Sequence, residues 1–152
     1  MTDDSDAGPA RLRCSDMVRI PATADAVWAV VGDLASLVPG GGMVERIDVD
    51  GEGAGAIRTF HLPGGARVVE RIESHDPACR LYSYRILDSG PLPFADYVGA
   101  AVVTADGPGA CLLSWSADVA PAGVDAATLR AMVEANLNGA LQAVAACFRP
   151  AT

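Results

Sequence analysis

The sequence predicts an α+β fold: a seven-stranded, strongly curved antiparallel sheet wrapped around a long C-terminal helix, with two short helices after the first strand. Three observations predict it. Leu129, Met132, Val133, Leu137, Ala140, Leu141, Val144 and Phe148 recur at three- and four-residue steps, one apolar stripe on a helix of about seven turns over 124–148. Ahead of that helix, from 43 to 119, the apolar period is two. The turns between the period-two segments are short, which joins neighbouring strands as an antiparallel meander. A helix with one greasy face needs a broad apolar surface, and a sheet curved around it supplies one while leaving a hollow between them.

Taken in order, residues 1–10 are small and acidic and read as a flexible leader ahead of a single domain over 11–149. A signal peptide has the opposite character, a basic start and an apolar run. Residues 11–20 alternate and form a first strand closed by Pro21. Thr23 caps a helix with Asp25 in its first turn, where the helix dipole favours negative charge, and Val27, Trp28, Val31 and Leu34 on its apolar face. Gly32-Asp33 interrupts, 34–38 forms the second short helix, and Pro39-Gly40-Gly41-Gly42 ends it. Strands follow over 43–49, 56–62, 67–74, 80–87, 97–104 and 111–119, separated by Gly, Pro, Asp and Ser in turn combinations. Asp125 or Gly123 caps the last helix, and Pro150 stops the chain after it. Asn136 interrupts the apolar stripe, seven positions after Leu129 and four before Ala140. A carboxamide there pairs with a neighbouring backbone carbonyl or lines a wet cavity, because burying it unpaired costs about 1–3 kcal/mol.

Composition removes several functions. The net charge is −8, which disfavours nucleic acid and anionic membrane surfaces. All eleven basic residues are arginine, so lysine Schiff-base chemistry is excluded. No apolar run reaches the length of a membrane span, and a cytoplasmic location is expected. Cys14, Cys79, Cys111 and Cys147 are far apart and read as free, mostly buried thiols. His61 and His75 have no ligand-like spacing, so no metal site is expected. His61 alternates away from Phe60 and Leu62 onto the outer face, and His75, beside Asp76-Pro77, reads as a turn residue.

Several stretches stand in a characteristic order over 11–148. They are Ile20-Pro21-Ala22 leading into Val27-Trp28, Gly53-x-Gly55-x-Ile57-Arg58, Val69-Glu70-Arg71-Ile72 followed by Asp76, and Tyr82-x-Tyr84-x-Ile86 before Pro91-Leu92-Pro93. Asp96-Tyr97, Trp115-Ser116 and Asn136-Leu137 complete the set. This order resembles the helix-grip fold of the START and birch-pollen-allergen (SRPBCC) superfamily, which includes bacterial polyketide cyclase/dehydrase-like and lipid-transfer proteins. Within it the pattern is similar to bacterial relatives of the plant abscisic-acid receptors. The resemblance implies that Glu70, Tyr97 and Asn136 line a polar, wet part of a ligand cavity. It also implies that the loops 62–66 and 89–94 stand where the receptors have their gate and latch. Two departures matter: the receptors' pocket lysine falls near Val38, and Ser114 stands where a second pocket acid is expected. Recognition of the plant hormone, or of the phosphatase it controls, is not implied.

The residues support a pocket independently. Glu70 shares a strand face with Val68 and Ile72, so an acid interrupts an apolar alternation and goes inward if they do. Desolvation raises the pKa of such a carboxylate towards that of a general acid or base. Arg58 on the neighbouring strand can pair with it and lower the pKa again, and a purely structural Arg58–Glu70 bridge is the competing reading. Tyr97 can donate its hydroxyl to a ligand oxygen or an enolate, or it packs under the Pro-Leu-Pro loop. By the resemblance Tyr82, Tyr84 and Ile86 look inward with Phe60 and Leu62 on the adjacent wall, and ordinary core is the alternative. Leu113, Trp115 and Ala117 oppose Ser114, Ser116 and Asp118, and alternation does not choose which set faces the cavity.

These readings converge on a pocket for a largely apolar, oxygenated metabolite of polyketide or terpenoid type. As an enzyme, it is a cyclase or dehydratase that needs no cofactor, with Glu70 moving a proton and Tyr97 with Asn136 steadying an oxyanion. The expected ligand contacts are Arg58, Phe60, Leu62, Tyr82, Tyr84, Ile86, Ser114, Met132 and Asn136. The rival is a non-catalytic carrier or a sensor whose loops close over ligand, acting as a monomer or homodimer. A third reading has the cavity filled by side chains.

Overall fold

The computed structural model describes residues 11–40 and 43–149. The expected leader over 1–10, Gly41-Gly42 and the stop at Pro150 lie outside the described residues. Seven strands form one antiparallel sheet: β1 (Leu12–Ile20), β2 (Arg46–Asp50), β3 (Ile57–His61), β4 (Arg67–Asp76), β5 (Leu81–Asp88), β6 (Phe94–Ala105) and β7 (Cys111–Pro121). Helix α1 (Ala24–Val31) follows β1, and α2 (Ala126–Ala146) ends the fold. The spatial order β1-β7-β6-β5-β4-β3-β2 is a meander from β2 to β7 with β1 added beside β7. The helix-grip architecture is therefore present.

Boundaries differ where local chemistry overrides periodicity. In place of a second helix over 34–38, a single 3-10 turn spans Val38–Gly40. Asp33 explains part of this, since its side chain accepts from the Ala35 amide at 3.0 Å and holds the chain in a turn. The last helix is capped by Asp125, whose Oδ1 accepts from the Thr128 amide at 2.7 Å. Leu129, Val133, Leu137, Leu141 and Val144 bury its stripe, while Met132, Ala140 and Phe148 are only partly covered.

Two irregularities shape the concave face. Pairing of β4 with β5 slips at Val69/Glu70 and again at Ile72/Ser74, and such bulges bend a strand and increase its twist. Pairing of β6 with β7 slips between Ala95 and Val98, where Asp96 has φ of 53°. Left-handed backbone is tolerated by Asp better than by most residues. The extra residue lets Phe94 and Tyr97, three apart, both point inward and be buried. Arg11 pins this bulge, its Nη2 donating to the Asp96 carbonyl at 2.7 Å.

Both histidines are structural. His61 ends β3 with its side chain on the outer face, opposite to Phe60, and lies 2.8 Å from Asp48. His75 lies at the end of β4, one residue before its last, with Nε2 2.9 Å from the Gly32 carbonyl and its ring 5.4 Å from Trp28. A carbonyl only accepts, so this nitrogen carries a proton and ties the end of α1 to the sheet. All four cysteines are free thiols, Cys14 and Cys111 buried as expected, Cys79 and Cys147 exposed against expectation. No helix among the described residues is long and apolar enough to cross a membrane.

Candidate functional site

A cavity of about 420 Å³ lies between the concave face of the sheet and the middle of α2. That volume is in the range of small-molecule sites. Small residues of the helix leave room at this level, where Ala135, Gly139 and Ala140 line the hollow beside Asn136 and Leu137. A Cβ placed on Gly139 would meet nothing within 4 Å. Six of the chain's eight Phe, Tyr and Trp residues line the cavity, so its walls are broad, flat and apolar with polar tips.

Arg58 and Glu70 are opposite one another on β3 and β4 and are the only buried charged residues among those described, 5% and 3% exposed. Arg58 Nε donates to Glu70 Oε1 at 2.8 Å, and its Nη2 donates to the same oxygen. Nη1 donates to the Leu34 carbonyl at 3.3 Å, tying the segment after α1 to the cavity wall. Nη2 also lies 3.4 Å from the Tyr82 hydroxyl. The guanidinium sits 4.9 Å from the Phe60 ring centroid and 5.3 Å from that of Tyr82, where ring quadrupoles favour a cation. Glu70 Oε2 has no hydrogen-bond partner among the described residues. Burial pushes the Glu70 carboxyl above its usual range, and Arg58 pulls it only part of the way back. The bridge and the pocket therefore coexist, because this pair is itself part of the cavity wall.

A second polar element is built from aromatics. Trp115 Nε1 donates to the Tyr84 hydroxyl at 3.0 Å, leaving the tyrosine proton free to point elsewhere. The Tyr84 and Tyr97 rings are stacked at 6.3 Å, and Phe94 lies 4.9 Å from Tyr97. Burial raises the pKa of both tyrosines above that of a free phenol, so they act as hydroxyl donors. Gly99 permits this arrangement. It stands opposite Tyr84 in the β5–β6 ladder, and a Cβ there would overlap the phenol.

Of the residues singled out from sequence, Arg58, Phe60, Leu62, Glu70, Tyr82, Tyr84, Ile86, Tyr97 and Asn136 line this one cavity. Asn136 is exposed and has no hydrogen-bond partner among the described residues, which places it at the mouth. Two expectations are corrected. Ser114 does not line the cavity, because Leu113, Trp115 and Ala117 are the buried set on β7 and Ser114 alternates to the outer face. Met132 does not line it either, lying a turn before Asn136 and packing on the core beside Val133. Sequence reasoning missed Ser36, Pro39, Gly40, Met43 and Val44, which form part of the rim. Their Pro and Gly content reads only as a turn, and nothing local says which surface that turn covers.

The bare turn of α2 makes a direct test. Gly139→Ala raises stability by about 0.8–1.0 kcal/mol through helix propensity, with no new contact. Gly139→Phe keeps the fold but fills the mouth, and titration with an apolar fluorescent dye should show most of the binding lost.

A family model for "polyketide cyclase / dehydrase and lipid transport" matches residues 11–149. No curated protein sequence matches the chain. An uncharacterised protein from Bacillus thuringiensis superposes with a TM-score of 0.80 at 22% identity over 90% of this chain and 98% of that one. The ZhuI aromatase/cyclase from Streptomyces sp. R1128 gives 0.75 at 22% identity, covering 90% and 93%. Norcoclaurine synthase from Thalictrum flavum gives 0.75 at 18% identity, covering 95% and 97%. At such identities the likeness extends to the fold.

Proposed function

The chain belongs to the polyketide cyclase / dehydrase and lipid transport family, and on that premise we propose that it folds a small, largely apolar, oxygenated metabolite in its cavity and moves a proton on it. One observation carries the reading: the buried Glu70 carboxyl lines the cavity with Oε1 taken by Arg58 and Oε2 unpartnered among the described residues. A buried acceptor left open is costly, and a ligand hydrogen relieves that cost. In the proposed step the ionised carboxylate takes a proton from carbon next to a ligand carbonyl, and the electron pair moves onto the carbonyl oxygen. Tyr97 donates to that oxygen, with Asn136 near the mouth holding the ligand's outer end. The enolate carbon then bonds to a second carbonyl carbon, whose oxygen takes the π electrons and recovers the proton from Glu70, or Glu70 returns the proton to a departing hydroxyl and water leaves. Positioning supplies most of the acceleration, and the step requires no cofactor.

The similarity to an aromatase/cyclase supports the use of this fold for ring closure. A carrier is the second reading, favoured by the Arg58 contact that occupies half of the Glu70 carboxylate. Native mass spectrometry of the purified protein identifies a co-purifying molecule. With that molecule, Glu70→Gln should abolish turnover while leaving affinity within about tenfold, a loss of some 1.4 kcal/mol at most. No chemistry in the wild type assigns the protein to the carrier reading, and unchanged chemistry in the variant removes Glu70 from the reaction.

A further inference from the structure

The β5–β6 pairing opens at the end of the hairpin nearest the 89–93 connection between the two strands. The β5–β6 ladder runs from Leu81↔Val102 to Arg85↔Val98 and stops there, although both strands continue past it. Ile86 remains paired with Glu70 on β4, and Ala95 with Ala120 on β7. The two strands therefore stay attached to their outer neighbours while separating from each other. The Asp96 bulge lies in the separated stretch, and Arg11 donates to the Asp96 carbonyl there.

A second cavity of about 270 Å³ occupies the break, lined by Ile86, Leu87, Ser89, Phe94, Ala95, Asp96 and Tyr97. Ile86, Phe94 and Tyr97 also line the main cavity, so these three residues form a wall that the two spaces share. At the outer lip the Asp96 carboxylate is 70% exposed. Backbone N–H and C=O groups on the separated edges have no ladder partner across the gap, and Leu87, Asp88, Ala95 and Asp96 there are exposed, which gives water access to them. Water takes about 30 Å³ per molecule in the liquid, so the break has room and polar partners for several.

We propose that the break between β5 and β6 is a water-filled side passage, with Tyr97 at its inner end, that exchanges water with the deep part of the cavity independently of the mouth. Ile86 and Phe94 make its inner wall apolar, and the phenol of Tyr97 is the polar step between the two spaces. This holds whether the protein catalyses a reaction or carries a ligand. For a ligand seated in the mouth it provides a route by which water leaves or enters behind it.

The indole N–H of Trp115 faces the main cavity and bonds to Tyr84, which stacks on Tyr97. Its hydrogen exchange with solvent, followed by NMR, reports water at the deep end, and Trp28 in the same spectrum is the control. Ala95 is exposed, so Ala95→Phe caps the passage from outside without entering the core. Capping should slow Trp115 exchange at least about tenfold while leaving Trp28 unchanged. Ser89→Phe, on the loop side of the same opening, should do likewise, and Gly139→Phe at the mouth should leave the rate within about twofold. Slowing by Gly139→Phe alone, or no change with either cap, overturns the proposal.

Discussion

Replacing Arg58 by Met lowers stability by about 3–5 kcal/mol at neutral pH, the largest loss expected of any single substitution in the cavity wall. The variant strands Glu70, 3% exposed, with no counter-charge and no donor on Oε1. It also releases the Leu34 carbonyl and removes the cation from the Phe60 and Tyr82 rings. The sign of the pH dependence follows from linkage. Folding already raises the Glu70 carboxyl above its usual range, and without Arg58 only the upward push of burial remains. The folded variant therefore binds this proton more tightly than the unfolded chain. Its stability is greatest below the usual carboxylate range and falls as pH rises through the raised value. Urea titrations from about pH 4 to pH 8 should show the gap to wild type widening with pH. Arg58→Met combined with Glu70→Leu should recover most of the loss, since an apolar pair of similar volume carries no desolvation cost. A single variant as stable as wild type at pH 8 would show that the pair is not dry.

Gly99→Ala should cost about 1–3 kcal/mol, although it adds one methyl group. The new Cβ meets the Tyr84 phenol, with Cε2 at 2.8 Å, and backbone on both sides is fixed by the β5–β6 and β6–β7 ladders. The ring has one direction to go, into the cavity that it lines, which breaks its bond from Trp115 Nε1. Two readouts follow together: a lower midpoint in chemical unfolding, and weaker binding of the same apolar dye used for Gly139→Phe. Loss of stability with undiminished dye binding would mean that the ring moves away from the cavity.

Much of the fold was legible because its signals are local and repeated. Alternation of Val68, Glu70 and Ile72 put the acid on the inner face, and the three- and four-residue stripe from Leu129 to Val144 gave α2 its buried side. Arg58 opposite Glu70 was foreseeable from two neighbouring strands joined by a short turn. The rest depends on register or on distant parts of the chain. Alternation fixes two faces of β7 but not which is inner, so Trp115 stayed undecided and Ser114 was misplaced. The bulge at Asp96 carries no turn residue beyond the aspartate itself, yet it decides that Tyr97 points inward. Ser36, Pro39, Gly40, Met43 and Val44 join the site through contacts distant in sequence, among them Arg58 reaching back 24 positions to the Leu34 carbonyl.

The bare middle of α2 has an evolutionary meaning. Its buried leucines and valines grip the sheet above and below, while Ala135, Gly139 and Ala140 leave the space between unclaimed. The anchoring of the helix and the dimensions of the chamber are thus written largely in separate residues, with Leu137 alone serving both. A lineage can retailor the molecule it accepts by trading single methyl groups along one helical turn, leaving the paired charges and the aromatic wall as inherited.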